Sequence, residues 1–158
     1  MSTSTTWLRQ LEAYLQEEIG AQGRLIALLE EQERALLSHS RLAIESASHA
    51  LQAQFAASSS RSRRREDLVA RLAQSWGVAP QSLTLASIAE RAGSDGERLA
   101  RQRSELQRAT RKAQRLARRT AAAARLHSRL SNEIVRACLG ADTLSPKVDA
   151  GAVVDAEA

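Results

Sequence analysis

Leucine and isoleucine recur at steps of three, four and seven over the first 37 residues, and this spacing constrains the fold more than any other feature. They are Leu8, Leu11, Leu15, Ile19, Ile26, Leu29 and Leu36. Because an α-helix repeats about every 3.6 residues, such steps place side chains on one face of a helix. The pattern predicts a first helix over residues 7–37 with one apolar face.

A second helix is predicted from the polar turn Ser38–Ser40 to Trp76, with Gly77 as its C-terminal stop. The serines Ser58–Ser60 weaken its middle, but the helical period resumes at once in "REDLVARLAQSW", which favours an unbroken helix over a break. Its predicted periodic apolar positions are Leu42, Ile44, Ala47, Leu51, Phe55, Leu68 and Leu72.

The last helix is predicted to begin at a capping box formed by Ser94 and Glu97 and to run to Leu139, with Gly140 as its stop. A short helix capped by Ser82 or Thr84 precedes it. The apolar stripe of the last helix follows a seven-residue repeat of Leu99, Leu106, Ala113, Thr120, His127 and Ile134, interleaved with Ala109, Leu116, Ala123, Leu130 and Ala137. Alanine in the middle of this stripe buries little area and stabilises helix packing only weakly.

The residue types support a fold made of helices alone. Aromatic residues make up 3% of the chain, and there are only two prolines and seven glycines. A core of leucine, isoleucine, valine and alanine favours long helices packed side by side. We predict an all-α fold, an elongated antiparallel bundle or coiled coil of three long helices plus a short crossover helix. Residues 1–140 form a single helical domain in this prediction, and residues 141–158 form a disordered acidic tail.

Charge is divided unevenly along the chain. The net charge is +5, yet the first 60 residues hold four arginines and seven glutamates, whereas residues 95–140 hold twelve basic and four acidic residues. We therefore expect the acidic first helix to pair with the basic last helix.

Catalytic and metal-binding patterns are not found in the sequence. His39, His49 and His127 are far apart, and Cys138, the single cysteine, is predicted to be a small buried hydrophobe. The sequence predicts no enzyme activity, no cofactor and no metal. The N-terminus lacks a signal-peptide pattern, and no run approaches the roughly 20 apolar residues of a membrane span. A cytoplasmic protein without a membrane span or small-molecule substrate is expected.

Three kinds of binding protein remain open on this evidence. The arginines of the last helix would neutralise nucleic-acid phosphates, although this helix has no aromatic residue on which bases could stack. A coiled-coil scaffold would form a homo-oligomer. A helix-binding protein would use the apolar residues Leu126, Val135 and Leu139, which widen the stripe near the end of the last helix. These three residues equally suit packing on the second helix or in a homodimer.

Two segments carry a resemblance to a known family. They are "IALLEEQERALL", followed by the polar turn, and "RREDLVARLAQSWG", followed by the crossover segment "SLTLASIAERA" and a long last helix. Over residues 8–139 the chain resembles the FlgN family of flagellar export chaperones. The resemblance implies a cytosolic helical protein that holds hook-filament junction proteins and delivers them to the flagellar export apparatus.

The resemblance also implies where cargo binds. In the family, cargo binding is attributed to the C-terminal part, which would meet an amphipathic C-terminal helix of the junction proteins. Carried over to this sequence, it implicates the apolar residues Leu116, Leu126, Leu130, Ile134 and Val135, with Arg119, Arg125 and Arg129 as partners for acidic cargo residues. The segment "ARRTAAAA" departs from the asparagines and leucines that the family often has in mid-helix.

Overall fold

Four α-helices and two short 3-10 turns account for the secondary structure of the part that is described. The computed structural model describes residues 3–139, apart from the side chains of Thr3, Ser4 and Ser94. The helices are α1 (Thr3–Ser38), α2 (Arg41–Trp76), α3 (Leu85–Arg91) and α4 (Gly96–Leu139), with 3-10 turns at Pro80–Ser82 and Gly93–Asp95. The predicted all-α fold of long packed helices is confirmed, and α2 is unbroken through its serines.

The internal contacts divide the chain into two units, Met1–Ala123 and Ala124–Ala158. The predicted stop at Gly140 and the predicted tail lie outside the described residues. Within the first unit, α2 runs antiparallel to α1, since Glu18 meets Arg61 whereas Gln32, further along α1, meets Ser48, earlier in α2.

A leucine cluster closes one end of the first unit. It combines the start of α1, the end of α2, the short α3 and the start of α4, through Leu8, Leu11, Tyr14, Leu15, Leu68, Leu72, Ile88 and Leu99. Trp7 and Trp76 pack on its edge. Burial of each leucine stabilises the fold by about 1.5–3 kcal/mol, so this cluster fixes the position of the crossover helix.

Local signals set the helix boundaries. The Ser40 hydroxyl accepts a hydrogen bond from the Ala43 N–H, and Gly77 ends α2 in the left-handed conformation with φ of 64°. Thr84, rather than Ser82, caps α3, and it forms a reciprocal capping box with Ser87.

The start of α4 differs from the prediction. The proposed capping box needs the Ser94 side chain, which lies outside the described part, and the backbone makes the 3-10 turn Gly93–Asp95 before α4 begins at Gly96. A Cβ atom at position 96 would lie 2.0 Å from the Ala89 carbonyl oxygen. Glycine at this position therefore lets the first turn of α4 lie against α3.

The face of α2 that contacts α1 is partly polar, which the apolar pattern did not predict. Leu42 and Phe55 are 80% and 54% exposed, although both were among the predicted periodic positions. The middle of the contact is made by Gln54, which donates to the Ala21 carbonyl oxygen, and Arg61, which pairs with Glu18. Ala47 and Leu68 are buried seven residues before Gln54 and seven after Arg61, so one heptad repeat includes both polar residues.

Candidate functional site

The basic residues of α4 pair with the acidic residues of α1, as the charge distribution predicted. Arg98 contacts Glu12 at 3.2 Å and Lys112 contacts Glu30 at 3.3 Å. Arg119 donates a hydrogen bond to Glu33. Because both members of each contact follow the same order along the chain, α4 runs parallel to α1 within the first unit. The glutamates of α1 thereby neutralise part of the positive charge on α4.

The predicted cargo residues divide into two sets. Leu116 and Arg119 belong to the first unit, where Leu116 is 8% exposed and Arg119 is bound to Glu33. Both line a shallow depression together with Glu30, Lys112 and Arg115. The depression gives a partner side chain access to the small exposed part of Leu116, and Arg119 already has Glu33 as an acidic partner. Their role in cargo binding stays a prediction.

The other predicted residues lie in the described part of the second unit, residues 124–139. Its large apolar side chains are between 45% and 63% exposed, and they are Leu126, Leu130, Ile134, Val135 and Leu139. The described chain has eight large exposed hydrophobic residues in all, so five of them fall in the last fourteen residues of α4. Exposed large apolar side chains are thus concentrated in this segment of α4.

Helical spacing divides these apolar residues between two sides of α4. Leu126, Leu130 and Ile134 follow each other at steps of four and share one face. Val135 is nine residues from Leu126, which places it about 180° around the helix. Of the predicted cargo residues in this segment, Val135 therefore does not share a surface with Leu126, although all four apolar ones are accessible.

A basic edge runs beside the face of Leu126, Leu130 and Ile134. Arg125 and Arg129 are one turn apart and both are exposed. Arg136, seven residues after Arg129, continues the same edge and was not among the predicted cargo residues. The three arginines stand at positions i, i+4 and i+11, a spacing that places them on one side of a helix, so Arg136 could have been predicted from the sequence. The edge and the face together make an amphipathic surface suited to an acidic amphipathic helix.

The single cysteine of the chain, Cys138, lies in the same part of α4. Cys138 is exposed, so the prediction of a buried thiol is wrong. The reason is that residues around it at the end of α4, such as Ala137 and Leu139, are exposed as well.

Within residues 3–139, no group of histidine, cysteine, aspartate or glutamate side chains is arranged to hold a metal ion. No helix in the described part is long and apolar enough to cross a membrane.

The described chain consists of long packed helices and exposes an amphipathic surface on the last part of α4. The FlgN protein family matches residues 1–144. The chain belongs to the FlgN family, a family of flagellar export chaperones that bind flagellar export substrates. No curated protein and no solved structure matches the chain.

Proposed function

We propose that this protein binds hook-filament junction proteins before their secretion and delivers them to the flagellar export apparatus. The observation that carries the proposal is the exposed apolar face of Leu126, Leu130 and Ile134. Membership of the FlgN family gives the general role of an export chaperone, and this face supplies a surface on which an amphipathic cargo helix can dock.

The size of the face suits reversible binding. Leu126, Leu130 and Ile134 are already about half-buried, so their further burial by a cargo helix contributes roughly 1–1.5 kcal/mol each, about half of the value for a fully exposed side chain. Association itself costs at least about 4 kcal/mol, so this face alone supports only weak, reversible binding, and other contacts with the cargo add affinity. Arg125 and Arg129 add attraction for acidic cargo residues, and such charges act mainly on the rate of association.

The proposal is tested by co-purification of the full-length protein with hook-filament junction proteins of the same bacterium. Leu126→Glu and Leu130→Glu introduce a charge into the face, and each is expected to weaken cargo binding at least tenfold. Ser128→Glu is the matched control, because Ser128 is exposed on the same helix but away from this face. Equal binding by Leu130→Glu and Ser128→Glu would contradict the proposal.

Val135→Glu decides whether the predicted site extends around α4. Because Val135 lies about 180° from Leu126, a single cargo helix on the Leu126 face leaves it free. We expect Val135→Glu to retain binding, and loss of binding would show that the cargo wraps around the helix.

The salt dependence of the binding affinity distinguishes this function from nucleic-acid binding. Phosphate-driven binding weakens steeply as log[salt] rises, whereas docking on an apolar face changes little. Sedimentation of the protein alone tests the coiled-coil scaffold, which predicts a stable homo-oligomer without cargo.

A further inference from the structure

A groove of about 660 Å³ lies within the first unit, among α1, α2, α4 and the crossover segment. Tyr14 and Leu15 of α1 are buried at its base. Val69 on α2 and Leu106 on α4 line it from two sides, and the crossover segment contributes Leu83. None of these residues belongs to the proposed cargo face.

One part of the groove is apolar. Leu83, Leu85 and Leu106 pack with one side against the leucine cluster, and Val69 lies beside them on the groove lining. All four are only half-buried. The apolar area that they leave in the groove would be removed from water by an additional apolar side chain.

Another part of the groove offers unused hydrogen-bond donors. Tyr14 lines the groove, and among the described residues its hydroxyl forms no hydrogen bond. Arg65 lines the groove as well and takes part in no ion pair within residues 3–139, whereas Arg61 is already bound to Glu18 at 3.0 Å. A carboxylate is the group that accepts hydrogen bonds from both a phenol and a guanidinium.

One guanidinium group near Tyr14 is left for a negative partner. Burial and the Glu18 carboxylate raise the pKa of Tyr14, while Arg65, Arg61 and Arg64 lower it. Arg61 and Arg64 are already paired with Glu18 and Glu17, whereas Arg65 takes part in no ion pair within residues 3–139. Glu66 also lines the groove. An incoming carboxylate at Tyr14 meets a neutral phenol donor and the Arg65 guanidinium, both on the groove lining.

The dimensions select a helix as the occupant. Along α2 the lining runs from Ser58 to Val69, a length of roughly 16 Å, or three turns of helix. A helix of this length presents apolar anchors at positions i, i+3 or i+4, and i+7 to a groove between two other helices. Its addition to α1, α2 and α4 would complete a four-helix arrangement.

We propose that this groove binds one acidic amphipathic helix of a partner protein, with its apolar side chains on Val69 and Leu106 and a carboxylate at Tyr14 and Arg65. The groove lies wholly within residues 3–123. The proposal therefore does not rest on the cargo face.

The test uses two fluorescein-labelled helical peptides of about 14 residues and the full-length protein. Both peptides carry leucines at i, i+4 and i+7, and glutamates in the first are replaced by lysines in the second. Fluorescence anisotropy is expected to show that the acidic peptide binds at least tenfold more tightly. Equal affinities would overturn the proposal.

Substitutions then locate the binding site. Arg65→Glu is expected to lower the affinity for the acidic peptide at least tenfold and to raise that for the lysine peptide. Arg63→Glu is the matched control, because Arg63 is exposed on α2 and does not line the groove. An equal effect of the two substitutions would overturn the proposal, since the attraction would then be non-specific.

Two further variants separate the hydrogen bond from the apolar contact. Tyr14→Phe keeps the buried ring and removes only the hydroxyl, so the acidic peptide is expected to lose affinity severalfold while thermal unfolding stays cooperative. Val69→Glu places a charge in the apolar part and is expected to abolish binding of both peptides. Unchanged acidic-peptide affinity in Tyr14→Phe would remove the carboxylate contact from the proposal.

Two outcomes would assign another occupant or another site. If sedimentation shows a dimer that Val69→Glu dissociates, the groove is filled by a second copy of this chain, and the proposal is wrong. If Leu130→Glu abolishes peptide binding while Val69→Glu retains it, the peptide binds the cargo face and not the groove. Failure of the proposed function instead appears as cargo binding that Leu130→Glu leaves unchanged.

Discussion

Arg119 on α4 donates a hydrogen bond to Glu33 on α1, and these two residues are 86 positions apart in the chain. Arg98 and Glu12 are joined with the same separation of 86 positions. The two parallel helices therefore keep one register from Glu12 to Glu33. A constant register over this length is the property of coiled-coil packing, in which the same heptad positions meet repeatedly.

The half-buried ion pair between Arg61 and Glu18 is expected to stabilise the fold more than an exposed pair does. Their side chains are 20% and 17% exposed. Arg61→Ala removes the ion-pair partner of the Glu18 carboxylate in a partly desolvated place and leaves the Gln22 amide donating to it, so we expect a loss of about 1–2 kcal/mol in the free energy of unfolding. Urea denaturation measures it. Arg41→Ala removes the exposed pair with Glu45 and is expected to change the midpoint very little.

Two glycine substitutions are expected to have opposite signs. Gly96→Ala places a methyl group against the Ala89 carbonyl, so we expect a destabilisation of about 1–3 kcal/mol despite the better helix propensity of alanine. Gly23→Ala in α1 meets no atom within 4 Å, so we expect a gain of about 0.5–1 kcal/mol. Thermal or denaturant unfolding of both variants checks the pair. A gain in stability from Gly96→Ala would show that α3 and α4 do not approach as described.

Tyr14 is expected to make stability depend on pH in the alkaline range. Its pKa is raised above the usual 10.0 by burial in the fold, with Glu18 adding to the effect. The folded state thus favours the neutral phenol, and its contribution is complete below pH 10 and lost as the pH rises through the folded-state value.

The measurement is direct because Tyr14 is the only tyrosine in the chain. The ultraviolet absorbance of tyrosinate should titrate at a higher pH in the folded protein than in urea. Tyr14→Phe should retain more stability than the unmodified protein as the pH rises above 10.0. Identical titrations in the two states would contradict the burial of this hydroxyl.

Thr120→Val is expected to stabilise the protein. The Thr120 hydroxyl is buried at a heptad position of α4 and has no hydrogen-bond partner among the described residues. Replacement by valine removes this uncompensated polar group and keeps the shape of the side chain, with an expected gain of about 1 kcal/mol. Thr6→Val, at an exposed position of α1, serves as the control. A loss of stability in Thr120→Val would mean that the hydroxyl has a partner, such as a bound water molecule.

Much of the fold was predictable because its signals are local. The polar turn, the stop at Gly77 and the helical periods depend on residues close in sequence, so they gave the number and order of the helices. The heptad stripe of α4 was also correct where it is buried, at Leu99, Ala113 and Leu116. The start of α4 was not predicted correctly, because the role of Gly96 depends on a backbone carbonyl in another helix.

The candidate cargo surface was only partly predictable. The apolar residues near the end of α4 are visible in the sequence, and the basic edge of Arg125 and Arg129 is as well. The exposure of each of these side chains depends on which other helices pack against it, and the pattern of its own helix does not reveal this. Leu116 and Leu130 belong to the same stripe, yet Leu116 is 8% exposed and Leu130 is 46% exposed.

From the residues alone it was predictable that this chain is helical, where its helices begin and end to within a few residues, and that acidic α1 pairs with basic α4. These properties follow from local propensity, period and charge. The packing of the helices was needed to show that Gln54 and Arg61, rather than Phe55, complete the contact of α2 with α1. The same holds for the groove that Tyr14 and Arg65 both line. These pairings depend on the register between helices, which is set by the sum of many contacts between residues distant in sequence.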